Sequence, residues 1–75
     1  MWSKLTAQKL ATELQFLRGK KGWTQSQLAT KSGVSVASVQ FIEQNFDQRK
    51  PRPVTLMKLA KALGVEDEIL LKYIR

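Results

Sequence analysis

Residues 23–43 read WTQSQLATKSGVSVASVQFIE, and this stretch decides the fold. At its start the Thr24 oxygen can accept from the amide three residues on, while Gln27 can reach back to the amide of Thr24. That reciprocal arrangement is a capping box. Trp23 and Leu28 stand at the spacing of a hydrophobic staple across the same helix start. The helix so begun is short, because Gly33 follows Ser32 and suits the left-handed conformation that ends a helix. Ser35 then offers a second N-cap, with Val34 and Val39 as another staple-spaced pair. Val39 and Ile42 recur at helical spacing from Val36 to about Gln44. The stretch predicts two short helices meeting at a tight turn that carries a glycine.

Working outward toward the N-terminus, Leu5, Leu10, Ala11, Leu14 and Leu17 recur at spacings near three and four. They define one face of a helix from about Lys4 to Lys21, which Gly22 is placed to end. Toward the C-terminus, Phe46 would point inward beyond the third helix, and Asn45 to Arg52 lacks apolar periodicity. It closes on Lys50-Pro51-Arg52-Pro53, a basic loop in which each proline pushes its predecessor out of helical geometry. Pro53 suits the first turn of a fourth helix with Leu56, Leu59, Ala60 and Leu63 inward and Gly64 as its stop. A last helix, about Asp67 to Ile74, is expected to bury Ile69, Leu70 and Tyr73. Glu66, Asp67 and Glu68 at its start complement the helix dipole. No period-two alternation is long enough for a strand. The expectation is an all-α, five-helix unit forming a single domain over residues 1–75.

Seventy-five residues lie near the lower limit for independent folding, so the core is small and helix packing must carry the stability. Cysteine and histidine are both absent, which excludes disulfide staples, thiolate chemistry and most transition-metal sites. The six carboxylates are scattered or gathered at a helix start, and no glycine-rich phosphate loop appears. Neither an enzyme nor a bound cofactor is therefore expected. No run approaches the roughly 20 apolar residues of a membrane span, and the N-terminus lacks the apolar core of a secretory signal. A cytoplasmic location is expected, bacterial or phage-type and associated with the nucleoid.

The net charge of +7 is large for this length, and it is unevenly spread. Between Arg18 and Arg52 the bases Arg18, Lys20, Lys21, Lys31, Arg49, Lys50 and Arg52 face only Glu43 and Asp47, whereas acids gather near the C-terminus. The middle of the chain is thus the part suited to a polyanion, with a merely solvated basic face as the alternative.

Taken in order, several pieces form a specific pattern. They are Arg18 and Gly22, Thr24-Gln25-x-x-Leu28-Ala29, Gly33-Val34-Ser35, Val39-x-x-Ile42-Glu43 and Leu59-Ala60-x-Ala62-Leu63-Gly64-Val65, with Leu70-Leu71 beyond. The run from Leu17 to Leu71 resembles the lambda/434-repressor-like helix-turn-helix regulators, also called the XRE or Cro/C1 type. The chain departs from that pattern at Asn45, where a glycine usually ends the third helix. It departs again in a longer loop from Phe46 to Arg52, and at Glu66, where a Ser or Thr cap is usual.

The resemblance implies that the second and third helices form the DNA-binding motif, with the third in the major groove and the second across the phosphates. It nominates Val36, Ala37, Ser38 and Phe41 for the base edges, with Phe41 equally placed for the core. Gln40 follows, because its amide can pair bidentately with adenine. Val36 and Ala37 offer only apolar contact, which favours thymine methyl groups, and no arginine or lysine lies in Val36 to Gln44. An A·T-leaning readout is expected. Thr24, Gln25 and Ser35, at the starts of the two helices, would meet phosphates, and Arg49, Lys50 and Arg52 would grip the flanking backbone.

Arg18 and Glu43 are implied to be an internal ion pair joining the first helix to the end of the third. The function implied is sequence-specific binding of double-stranded DNA by a transcription repressor. A homodimer on a palindromic operator is expected, joined through Ile69, Leu70, Tyr73 and Ile74. The alternative is a protein-interaction adaptor of the same fold, antitoxin-like or coactivator-like.

Overall fold

The computed structural model describes residues 2–44 and 50–75. Its helices are α1 (Lys4–Lys21), α2 (Gln25–Ser32), α3 (Val36–Glu43), α4 (Pro53–Leu63) and α5 (Glu68–Leu71), and no strand occurs among the described residues. Each of the first three starts on a hydroxyl cap. Ser3 accepts from the Thr6 amide at 3.2 Å, and Ser35 from the Ser38 amide at 3.1 Å. Thr24 and Gln27 complete the capping box, with reciprocal bonds of 3.1 and 2.8 Å. Pro53 begins α4 from an extended Arg52. Between α2 and α3, Gly33 sits at φ 73°, where a side chain would be strained, and returns its amide to the Ala29 carbonyl. That reversal sets α3 across α2.

One apolar cluster holds the helices together. α1 contributes Ala7, Leu10, Ala11 and Leu14, α2 Leu28 and Ala29, α3 Val39 and Ile42, and α4 Leu56, Leu59, Ala60 and Leu63. Each fully buried leucine is worth roughly 1.5–3 kcal/mol over an exposed one. α3 packs on both α1 and α2, while α4 bridges α2 and α5, so the motif rests on α1 beneath one half and α4 beneath the other.

Two expectations need correction. Leu5 is 59% exposed, and Ala7 takes its place in the core. At 100° per residue Leu5 stands about 140° from Leu10, outside the stripe that Ala7, Leu10, Ala11 and Leu14 define. The last helix is also shorter than its apolar pattern suggests. It runs only from Glu68 to Leu71, after an N-cap Asp67 that is already in helical geometry and makes no side-chain cap bond. Residues 72–74 then tighten through bonds from the Tyr73 amide to Leu70 and from the Ile74 amide to Leu71. The tightened turn brings Ile74 into the core beside Leu70, leaves Tyr73 half-buried and leaves Ile69 at the surface. Asn45 and the expected inward Phe46 lie outside the described residues.

Candidate nucleic-acid interface

The site is built around a buried carboxylate. Glu43, the last residue of α3, receives Arg18 Nε at 2.7 Å and Arg18 Nη2 at 2.9 Å, a forked charged pair. Gln25 Nε2 donates to the same carboxylate at 3.0 Å. Arg18 Nη1 donates to the Trp23 carbonyl at 2.8 Å, and Gln15 Nε2 to the Glu43 carbonyl at 2.9 Å. Four separate segments thus converge: the last turns of α1, the approach to α2, the first residue of α2 and the end of α3. The hydrogen bond to Glu43 raises the Arg18 pKa, burial opposes that rise, and the charge of Glu43 adds to it. A carboxylate at a helix C-terminus opposes the dipole, and the guanidinium offsets that penalty.

This frame leaves specific groups outward. The first intrahelical bond of α2 runs from the Leu28 amide to the Thr24 carbonyl, and Thr24 Oγ1 takes the Gln27 amide. The amides of Gln25 and Ser26 therefore have no acceptor within the helix and point out of its positive end. On α3, Val36, Ala37 and Gln40 are exposed and Ser38 is half-buried. The Ser35 hydroxyl donates to Ser38 Oγ at 3.0 Å, so the two serines at the start of α3 orient one another. Phe41 is half-buried, packing on the core with its ring in the wall of a groove shared with Ala37, Ser38, Lys50, Arg52 and Thr55. The exposed side of α3 and the end of the basic loop thus line one groove, while the α2 start is tied to the end of α3 through Glu43.

A helix-turn-helix family model matches residues 14–70 of this chain. The chain belongs to the XRE-type helix-turn-helix family. It is 44% identical over 59 residues to the HTH-type transcriptional repressor RghR of Bacillus subtilis (strain 168), an overlap of 79% of this chain and 43% of that protein. It is 43% identical over 56 residues to the HTH-type transcriptional regulator SutR of Escherichia coli (strain K12), 75% of this chain and 30% of that protein. The chain thus spans less than half the length of these relatives. No solved structure matches it.

Within this family fold, the expected contact residues meet different fates. Gln25 turns its side-chain nitrogen onto Glu43, so what it can offer outward is its backbone amide and its remaining amide hydrogen. Lys50 donates to the Ile74 carbonyl at 3.3 Å, which ties the loop to the C-terminal turn. Arg52 is exposed at the entrance to α4, and Arg49 lies outside the described residues. Leu70 and Ile74 are 0% and 8% exposed, turned into the core of their own chain and unavailable to a partner. That corrects the expected dimer face, of which Ile69 and the half-buried Tyr73 keep surface. Tyr73 donates its hydroxyl to Glu13 at 3.1 Å, and burial first, then this bond, push its pKa up.

Two features had no signal in the sequence. Gln15 reaches Glu43 from α1, across 28 positions of chain. Lys21 and Lys31 approach the Trp23 ring at 5.7 and 5.0 Å, gathering positive charge beside the α2 start.

Proposed function

We propose that this chain is the DNA-reading domain of a transcription regulator. It binds double-stranded DNA with α3 in the major groove and the α2 start on the phosphates, and it acts as a repressor in the cytoplasm. Two copies would meet a palindromic operator, because a domain of this size contacts too little duplex for high specificity alone. One observation carries the reading. The Arg18–Glu43–Gln25 cluster locks the phosphate-facing start of α2 and the exposed side of α3 into one frame, so that seating one orients the other. Lys20, Lys21, Lys31 and Arg52 are exposed and would supply the sequence-independent attraction.

Base discrimination then falls to Val36, Ala37, Ser38 and Gln40. Two of these offer only apolar surface, so the preferred sites are rich in A·T pairs, with thymine methyl groups against Val36 and Ala37. Phe41 bounds the groove and limits how the edges approach. Selection of bound sequences from random duplex DNA, with affinity followed against salt, tests the proposal. An A·T-leaning motif and a steep fall in affinity with salt are expected. A flat salt dependence with no enriched motif sinks it.

A further inference from the structure

The outer side of α4 carries a surface that the DNA-reading face does not use. Val54, Met57, Lys58 and Lys61 follow one another at helical spacing, and together with Val65, Glu66 and Asp67 beyond Gly64 they line a single groove. Val54 is 52% and Met57 42% exposed, among the largest apolar exposures of the molecule. The four charges flank this apolar strip, two bases on the helix and two acids on the turn after it. None of the four forms an ion pair among the described residues, although nearby Glu68 is paired with Arg75. In a chain of net charge +7, two adjacent acids left unpaired beside two unpaired lysines mark a surface that is complementary to itself.

We propose that this groove docks a second copy of the chain about a two-fold axis, placing Met57 against Met57 and the Lys58–Lys61 pair of each copy against Glu66–Asp67 of the other. An isologous contact demands a patch that matches itself, and apolar residues between opposite charges meet that demand. The proposal deepens the homodimer reading above and rests on it. It moves the contact from Leu70 and Ile74, which the monomer buries, to residues that the monomer leaves open. The placement also suits a DNA-bound pair. Thr55, the next residue after Val54, shares the groove of Ala37 and Ser38, so α4 presents DNA-side groups on one flank and the docking strip on another. The lining residues are far fewer than the roughly 20–30 per side of a stable interface, so the association is weak in solution and is completed on a duplex with two half-sites.

A charge exchange tests the pairing. The variant K58E/K61E carries four acids at the groove and E66K/D67K carries four bases. Each alone sets like charges together, and a mixture of the two restores attraction at both ends of the axis. Sedimentation of the wild type over a rising concentration series, free and on a two-half-site duplex, should show self-association. Each variant alone should dissociate about tenfold or more readily, and the equimolar mixture should recover the wild-type value or better. Circular dichroism checks that the exposed substitutions leave the fold intact. A wild type that stays monomeric both free and on the duplex, variants that associate as it does, or a mixture that fails to recover overturns the proposal. Wild-type binding to a duplex with one half-site is followed separately. Failure there removes the DNA-reading proposal and leaves the pairing result standing.

Discussion

Replacing Glu43 by Gln keeps the shape of the side chain and turns one acceptor oxygen into a donor facing Arg18 or Gln25. The carboxylate side chain is 2% exposed and that of Arg18 is 21% exposed. Stranding one member of a fully buried pair costs about 3–5 kcal/mol, whereas losing a neutral hydrogen bond costs about 0.5–1.5 kcal/mol. Arg18 retains some contact with water and keeps its bond to the Trp23 carbonyl, so a loss of about 2–3 kcal/mol is expected. A domain of this length has roughly 4–11 kcal/mol in all, and each kcal/mol moves the midpoint of thermal unfolding by about 4–8 °C. Glu43→Gln should therefore lower that midpoint by about 10–20 °C, with an unchanged urea slope because the same surface is exposed on unfolding. Thermal and urea unfolding followed by circular dichroism measure both. In a double-mutant cycle, Arg18→Met combined with Glu43→Gln should lose less than the sum of the single changes, since no unpaired charge remains. A Glu43→Gln variant within about 0.5 kcal/mol of the wild type would refute the argument that this carboxylate holds the frame.

Other outcomes follow from the same geometry. At Gly33, φ is 73° and an added Cβ meets no atom within 4 Å, so Gly33→Ala should cost only the backbone strain of about 1–2 kcal/mol, read from urea unfolding. A neutral result would contradict the left-handed turn. Tyr73 is the only tyrosine, and its folded pKa lies above the free value near 10. Its contribution to stability is therefore full below the unfolded pKa and is lost as pH rises through the folded one. Spectrophotometric titration should find phenolate forming later than in the unfolded chain, and Tyr73→Phe should remove that part of the alkaline loss. Titration at the free value argues against the Glu13 contact. Finally, Val36→Gln and Gln40→Ala should change which base pairs are preferred, by about 1–3 kcal/mol on the best site, while stability stays within about 0.5 kcal/mol. An equal loss on every sequence would remove these residues from base reading.

Helices α1 to α4 are legible in the sequence because local chemistry marks most of their ends, the start of α1 and the end of α3 being the exceptions. The Thr24–Gln27 box, Ser35, Pro53 and the glycines at 22, 33 and 64 each act within a few residues of the boundary they set. The family pattern is legible for the same reason. What depends on distant chain is not. The five-residue step from Leu5 to Leu10 already leaves the helical stripe, while the entry of Ala7 into the core depends on the helices that pack across α1. A terminal stretch containing Ile69, Leu70, Leu71, Tyr73 and Ile74 reads as one amphipathic helix, yet the uncapped start and the tight turn after Leu71 divide it differently. Gln25 shows the limit within the site. A glutamine at the first position of a helix reads as a group for phosphate, and only the fold brings a buried carboxylate within 3.0 Å of it.

The hub at Glu43 holds α3 by its last residue, while the residues assigned to base reading begin at its first. The helix is therefore anchored at one end and free to vary at the other. Substitution at Val36, Ala37 or Gln40 touches neither the Arg18 fork nor the buried Val39 and Ile42. Such an arrangement separates the inheritance of the scaffold from the inheritance of its preference. On the proposed base reading, descendants of this domain would acquire new target sequences through a handful of exposed positions without first repairing their fold.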